Sequence, residues 1–259
     1  MSERVILELG VVAQLTLDDP PLHLVTGELL RDLDEALATL ERAAPDDVRA
    51  VVVTGSGDRA FSVGSNVKEF EDHRGPRGRA RFELEARVGQ RLAGLPMPTI
   101  AAIEGSALGG GLELALCCDL RIASERAQLG LPEVRIAVTP STGGTQRLPR
   151  IVGSARAKEL LLTGRIITAQ EAERIGLVNE VVPAGEAVAR ARAIGDEIAQ
   201  RGPLAVREVK RLVDDALDRD LAAGHAAETE ASVRIFATDD LLEGARSFVA
   251  KRPPEYHGR

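Results

Sequence analysis

Short apolar runs set off by polar stretches dominate the first half of the chain. Residues 4–17 predict two short strands on either side of Gly10. The β-branched runs 48–55 and 98–105 each end at a glycine, a pattern typical of buried strands that close in a turn. These runs predict the strands of a sheet.

Helical spacing takes over between and after these strands. Leucines recur at helical intervals in 26–44, and 80–95 is a second amphipathic stretch. The glycines and proline of 71–80 predict a loop before it. From about residue 184 the pattern is almost entirely helical. Because strands alternate with helices before that point, the sequence predicts an α/β core.

Composition excludes several classes of protein. The 259 residues are 44% hydrophobic and 28% charged, as in an ordinary globular protein. A net charge of −7 and an aromatic content of 2% argue against a nucleic-acid-binding surface. No apolar run reaches the roughly 20 residues of a membrane span, and residues 1–10 lack the pattern of a secretion signal. We therefore expect a cytoplasmic protein with neither a nucleic acid nor a membrane as partner.

Common metal and nucleotide motifs fit poorly. Cys117 and Cys118 are adjacent, so we expect small buried residues rather than a disulfide, and the histidines do not cluster in sequence. We expect no metal. Residues 54–60 match a weak dinucleotide-binding pattern without the helix that should follow. Residues 105–110 have the glycines of a phosphate loop, but Lys and Ser/Thr do not follow them.

The stretch 107–120 contains three consecutive glycines followed closely by Glu113, inside an apolar run. Gly inside a helix costs about 1 kcal/mol relative to Ala, and an unpaired buried carboxylate costs several times as much. Since neither choice favours folding, the stretch points to a functional site.

Three ordered motifs carry a family resemblance. They are "FSVGSNVKEF" (61–70), "IEGSALGGGLELA" (103–115) and "LGLPEVRIAVTPSTGGTQRLPRIVG" (129–153). Together they resemble the enoyl-CoA hydratase/isomerase, or crotonase, family, with its motifs F-x-x-G-A-D-[IL]-K-E, G-x-x-x-G-G-G-x-E and P-E-x-x-x-G-x-x-P-x-x-G-G-T-Q-R-L. The similarity extends from 18–26 to 243–256.

The resemblance implies a fold and an assembly. We expect a crotonase-like ββα spiral core over residues 1–195 and a helical C-terminal segment over 196–259. In the family this segment packs at a trimer interface, and "LAVREVKRLVDDAL" (204–217) has apolar residues on more than one face. We therefore expect a homotrimer or a dimer of trimers.

The resemblance also implies a reaction, and it is greatest to the hydratases that carry two glutamates. These enzymes add water syn across the 2,3 double bond of a trans-2-enoyl-CoA and give a 3-hydroxyacyl-CoA. Coenzyme A is part of the acyl-CoA substrate, so no separate cofactor is expected. Two alternatives remain open: another reaction of the family, such as double-bond isomerisation, and a non-catalytic scaffold that keeps the fold.

Four positions match the family's catalytic positions. By resemblance, Glu113 positions and activates the water and Glu133 delivers a proton to the α-carbon. Such a pair would titrate as a unit. The backbone N–H groups of Ser65 and Gly110 match the oxyanion hole, which must point donors at the thioester oxygen without side chains in the way.

Substrate-binding positions follow from the same motifs, and several depart from the family pattern. Ser65 and Asn66 replace the common Ala and Asp, Ser141 replaces the Gly after Pro140 whose N–H helps to hold the water, and 135–137 replaces a stretch that often contains Gly. Two lysines, at 68 and 251, are candidates for contact with coenzyme A phosphates. The expected substrate-binding residues are Leu24, Gly64, Asn66, Val67, Lys68, Ser141 and Lys251.

Overall fold

The structure is a computed structural model that describes residues 4–44 and 47–259. Residues 1–3 and 45–46 of the predicted core lie outside the described residues. The strands are β1 (Val5–Glu8), β2 (Val12–Leu17), β3 (Ala50–Gly55), β4 (Ala60–Ser62), β5 (Thr99–Ile103), β6 (Ser106–Leu108), β7 (Leu120–Ser124), β8 (Gln128–Gly130), β9 (Ile167–Thr168) and β10 (Glu180–Val182). The predicted strands in 4–17, 48–55 and 98–105 are confirmed.

Helices cover the sheets and make up most of the C-terminal part. They are α1 (Gly27–Glu41), α2 (Pro76–Ala93), α3 (Gly110–Leu116), α4 (Gly144–Val152), α5 (Ser154–Thr163), α6 (Ala169–Arg174), α7 (Ala187–Ala199), α8 (Pro203–Asp215), α9 (Leu221–Phe236) and α10 (Asp239–Ala250). The predicted helices in 26–44 and after 184 are confirmed. Among the described residues, no helix is long and apolar enough to cross a membrane.

The larger sheet forms the centre of the core. Its six strands follow the order β1-β2-β3-β5-β7-β10, and only the β1–β2 pair is antiparallel. One face packs against the leucines of α1, such as Leu33 and Leu37, and the other against Ala187 and Ala191 of α7. Because both faces are covered, the central strands are continuously apolar, as the sequence predicted.

The smaller sheet positions the motifs. Its order is β4-β6-β8-β9, and β4, β6 and β8 are parallel. Parallel strands end at the same edge of a sheet, and ligands bind outside the carboxyl ends of such strands. Gly64 follows β4, Gly110 follows β6 and Glu133 follows β8. The three sequence motifs therefore meet at one edge.

The loop predicted over 71–80 is wrong in its second half, because α2 begins at Pro76. Proline suits the first position of a helix, where its missing N–H would have no helical partner. Gly78 is buried, and a Cβ there would lie 1.8 Å from the carbonyl oxygen of His73. This glycine permits a close approach of two backbone segments, and does not break the helix.

The C-terminal helices differ in how they are covered. The expected end of the core, residue 195, lies within α7, where a Cβ on Gly195 would meet Val12 at 2.8 Å. The helices α8 to α10 have large apolar side chains on the surface. Phe236 is 72% exposed and Phe248 is 86% exposed. The proposed division into a core and a helical segment stays a prediction.

Candidate active site

The first two motifs are in direct backbone contact. Gly64 has a φ of +85°, and a Cβ on it would lie 2.8 Å from the carbonyl oxygen of Leu108 and 2.9 Å from the nitrogen of Gly110. No side chain fits at this position, and the left-handed conformation also favours glycine. Glycine here allows the loop after β4 to lie directly against the start of α3.

Two backbone N–H groups at this contact are free. Ser65 follows Gly64, and Gly110 is the first residue of α3, whose N-terminal residues have no intrahelical acceptor. Neither N–H donates a hydrogen bond to any described residue. Both donors are therefore available to an oxygen atom of a ligand.

Glu113 lies in α3, and the backbone of the loop 141–144 holds its side chain. The residue is 1% exposed, and its carboxylate accepts three backbone hydrogen bonds. They come from Ser141 at 3.2 Å, Thr142 at 2.8 Å and Gly144 at 2.7 Å. Burial raises the pKa of Glu113, the three N–H donors oppose this rise, and the charge of Glu85 adds to it. The loop therefore fixes the position of the carboxylate.

Glu133 lies beside the start of α3 and has no such support. Its side-chain oxygen Oε1 would be 3.4 Å from a Cβ on Gly109. Both carboxylate oxygens are buried without a hydrogen-bond partner among the described residues. Burial raises the pKa of Glu133 to about 7, the backbone N–H of the same residue opposes this rise, and the nearby Glu113 adds to it. A carboxyl group with this pKa can hold or release a proton near neutral pH.

The structure brings most of the remaining predicted site residues to the same place. The carbonyl of Gly64 accepts a hydrogen bond from Val25, directly after the half-buried Leu24. Asn66 caps a short 3₁₀ turn by accepting from the N–H of Lys68 at 3.2 Å. An amide oxygen performs this role as a carboxylate would, and Lys68 is exposed beside it.

Lys251 is the exception among the predicted site residues. It forms the C-cap of α10 with a φ of +52° and is exposed. No contact in residues 4–44 or 47–259 joins it to Glu113, Glu133 or the free N–H groups. Its expected role in binding coenzyme A stays a prediction.

Sequence reasoning missed a buried ion pair behind the site. Arg81 and Glu85 are 8% and 2% exposed and lie 2.9 Å apart on α2. A signal was present, since both residues share a helical face with the apolar Val88 and Leu92. Charged residues on the apolar face of a helix are buried when that face packs.

His23 and the two cysteines have structural roles, and the burial predicted for the cysteines is confirmed. His23 is buried, accepts a hydrogen bond from the N–H of Asp19 and donates one to the carbonyl of Ser56. Cys117 and Cys118 are free and buried, and burial raises the pKa of both thiols. The carbonyl of His23 accepts a hydrogen bond from the hydroxyl of Ser62, which is a further structural contact. No described group of His, Cys, Asp and Glu could hold a metal ion.

The fold and the arrangement of motifs are those of the crotonase class of α/β proteins. The structure superposes on an enoyl-CoA hydratase from Bacillus anthracis with a TM-score of 0.95 and 39% sequence identity, over 99% of this chain and 100% of the other. The family model described as enoyl-CoA hydratase/isomerase matches residues 8–259. The chain belongs to this family. The predicted family and fold class are confirmed.

Curated relatives agree with this assignment. The chain is 39% identical over 254 residues to the short-chain-enoyl-CoA hydratase of Clostridium acetobutylicum, with 97% of each chain covered. It is 41% identical over 216 residues to the crotonyl-CoA hydratase of Syntrophomonas wolfei, with 83% of each chain covered.

Proposed function

We propose that the protein is an enoyl-CoA hydratase that converts a trans-2-enoyl-CoA into a 3-hydroxyacyl-CoA. The observation that carries this proposal is the pair Glu113 and Glu133 beside two free backbone N–H groups. One carboxylate is fixed by three N–H donors. The other has no hydrogen-bond partner among the described residues, and burial raises its pKa to about 7. Hydration needs both a base and an acid, and a pair with different surroundings can supply them.

In the proposed reaction the N–H groups of Ser65 and Gly110 bind the thioester oxygen. Negative charge develops on this oxygen when water adds to the conjugated double bond. Donors already in place stabilise that charge without reorganisation. A Cβ on Gly64 would lie 2.9 Å from the nitrogen of Gly110, so glycine at 64 leaves room beside this N–H.

The two carboxyl groups handle the water and its protons. Glu113 accepts a proton from the water as the water oxygen bonds to C3, and Glu133 donates its proton to C2. One proton is gained by Glu113 and one is lost by Glu133, so the pair returns to its starting state by proton exchange after product release. The proposal requires no cofactor, because coenzyme A is part of the substrate.

Relatives support a short acyl chain as the first substrate to test. Two of them are named for short-chain enoyl-CoA and crotonyl-CoA. We propose that the protein works in the cytoplasm, where such thioesters are present. The remaining binding groups surround the thioester and the coenzyme A moiety. They are Leu24, Gly64, Asn66, Val67, Lys68, Ser141 and Lys251.

We propose that the protein works as a homotrimer or a dimer of trimers. Support comes from the apolar side chains that α9 and α10 leave on the surface, including Leu221 at 77% exposure and Val249 at 82%. Exposed apolar surface of this kind often marks a site of contact with another protein chain. Light scattering at micromolar concentration should give a trimer or hexamer, and a stable monomer would contradict this part of the proposal.

The function is tested with a panel of trans-2-enoyl-CoA thioesters of increasing chain length. Hydration removes the absorbance of the conjugated double bond, so the rate is read directly, with the Glu113→Gln variant as control. We expect turnover of the short-chain members. An enzyme that moves the double bond of 3-enoyl-CoA without hydrating any member of the panel would be an isomerase, and a protein with neither activity would be a scaffold.

A further inference from the structure

Ser141 connects the site to helix α2. Its N–H donates to Oε2 of Glu113 at 3.2 Å, and its hydroxyl donates to Oε2 of Glu85 at 2.6 Å. The two hydrogen bonds join one residue to two different carboxylates. Glu85 therefore lies one residue away from the carboxylate that is proposed to activate water.

Arg81 extends this network to the other half of the site. Its Nη2 lies 2.9 Å from Glu85 and donates to the carbonyl of Val25 at 2.5 Å. Val25 pairs with Ser65 in an isolated bridge, and its own N–H donates to Gly64. The buried pair on α2 thus joins the loop that holds Glu113 to the segment that presents an N–H for the oxyanion.

Stability alone is a poor explanation for this pair. Burying two charges carries a desolvation penalty, and replacing a buried ion pair by apolar side chains is often neutral or stabilising. Nη1 of Arg81 is also buried without a partner among the described residues, and burial lowers the pKa of this guanidinium. An ion pair at the same helical spacing, Arg79–Glu83, is largely exposed on the same helix.

The side-chain hydroxyl of Ser141 is the group through which the Arg81–Glu85 ion pair contacts the loop. Glycine at this position would offer an N–H but no side chain. Here Ser141 is anchored through its side chain while its N–H points to Glu113. The loop 141–144 is therefore tied to α2 at its first residue.

We propose that Glu85 is a positioning residue for hydration, which holds the hydroxyl of Ser141 so that the loop 141–144 keeps Glu113 and its water in place. Arg81 balances the charge of Glu85 and fixes its orientation. This inference rests on the proposed hydratase function. It adds a residue of α2 that touches neither the substrate nor the reacting atoms.

Two variants separate positioning from folding. Ser141→Ala removes the hydroxyl and keeps the N–H, whereas the double variant R81M/E85M replaces the ion pair by apolar side chains. Each should lower kcat for hydration about 10- to 100-fold, because small displacements of catalytic groups have effects of that size. KM should stay within about threefold of the wild-type value, and Tm should be unchanged or higher for R81M/E85M.

A triple variant and a matched control complete the test. Adding Ser141→Ala to R81M/E85M should cause little further loss of kcat, because both changes remove the same connection. Glu83→Gln, in the exposed pair of the same helix, should keep the wild-type rate. Wild-type kcat in Ser141→Ala overturns the inference, as does a loss in the triple variant equal to the product of the separate losses. If R81M/E85M fails to fold, Ser141→Ala decides alone. A wild-type enzyme that hydrates no thioester would instead overturn the proposed function.

Discussion

The carboxylate oxygens of Glu113 and Glu133 are both shielded from solvent, yet their surroundings differ in nearly every respect. Glu113 accepts hydrogen bonds from three backbone N–H groups of one loop, and its carboxylate has little freedom to move. Glu133 lies on a 3₁₀ turn, and its two oxygens have no partner in the described part of the chain. Hydrogen bonds to a carboxylate favour its charged form, and burial without them favours the neutral acid. The difference indicates that Glu113 holds a fixed position, whereas Glu133 carries the proton that can be transferred.

The largest expected effect comes from neutralising either glutamate. Glu113→Gln and Glu133→Gln should each lower turnover about 10²- to 10⁴-fold, the usual range for one general acid or base. The double variant should lose much less than the product of the two losses, because groups that act together are not additive. Steady-state hydration by the three variants measures this. Full activity in either single variant would refute the mechanism.

Stability sharpens the same comparison. An amide at 113 turns an NH₂ group toward backbone N–H donors, so Glu113→Gln should lower the free energy of unfolding by about 1–3 kcal/mol. Glu133→Gln breaks no hydrogen bond in the described structure and removes a buried ionisable group. It should be as stable as the wild type at pH 7 or more so. Denaturant unfolding of the two variants gives the answer, and equal losses would contradict the assigned surroundings.

Activity should fall above neutral pH. Burial raises the pKa of Glu133 to about 7 from an ordinary value of 4.5, and the proposed acid must be protonated. The rate should therefore fall by about tenfold per pH unit well above pH 7. The raised pKa also makes stability depend on pH. The folded state binds this proton more tightly than the unfolded chain does, so Glu133 lowers the free energy of unfolding increasingly as pH rises from 4.5 to about 7. Glu133→Gln should remove this slope, and an unchanged slope would argue against the raised pKa.

A smaller effect is expected from crowding the loop that holds Glu113. A Cβ on Gly144 would lie 3.0 Å from Oε1 of Glu113 and 2.9 Å from Leu131. Gly144→Ala should therefore displace the carboxylate and reduce kcat by about tenfold or more. Gly10→Ala is the matched control, since its Cβ would meet only the carbonyl oxygen of Val12 at an ordinary 3.7 Å. Equal rates in the two variants would show that the loop tolerates movement.

The smallest expected effect concerns the turn that carries Glu133. Ala137 ends this turn with a φ of +58°, at the position where the family motif has glycine. The left-handed conformation costs a non-glycine residue about 1–2 kcal/mol, and glycine removes this cost. Glycine also raises the conformational entropy of the unfolded chain, which offsets part of the gain in stability. Ala137→Gly should raise the free energy of unfolding by less than about 1 kcal/mol without changing kcat. A clear destabilisation would mean that the turn differs from the one described.

The sequence predicted the groups that lie close together along the chain better than those joined by packing. The three motifs are local patterns of residues, and their resemblance to the family motifs named Ser65, Gly110, Glu113 and Glu133. That these residues meet at one sheet edge is seen only in the structure. The predicted start of α2 is wrong, because the prediction treats proline and glycine only as residues that break helices. Pro76 begins the helix, and Gly78 accommodates the backbone of His73.

The network behind the site could not be predicted in the same way. Arg81 and Glu85 gain their role only when α2 packs against the loop 141–144, which is more than fifty residues away in sequence from either residue. Helical spacing indicates that both charges share the apolar face of α2, but it does not say what they meet there. That information comes from the tertiary structure.

The protonation of Glu133 can be observed directly. Infrared difference spectra between the wild type and Glu133→Gln, recorded over a range of pH, isolate the carbonyl stretch of this one protonated carboxyl group. The account predicts a protonated carboxyl that titrates with a midpoint near pH 7, because burial raises its pKa to about 7. A midpoint near the ordinary value of 4.5 would contradict it, because Glu133 would then be ionised at neutral pH and unable to donate the proton.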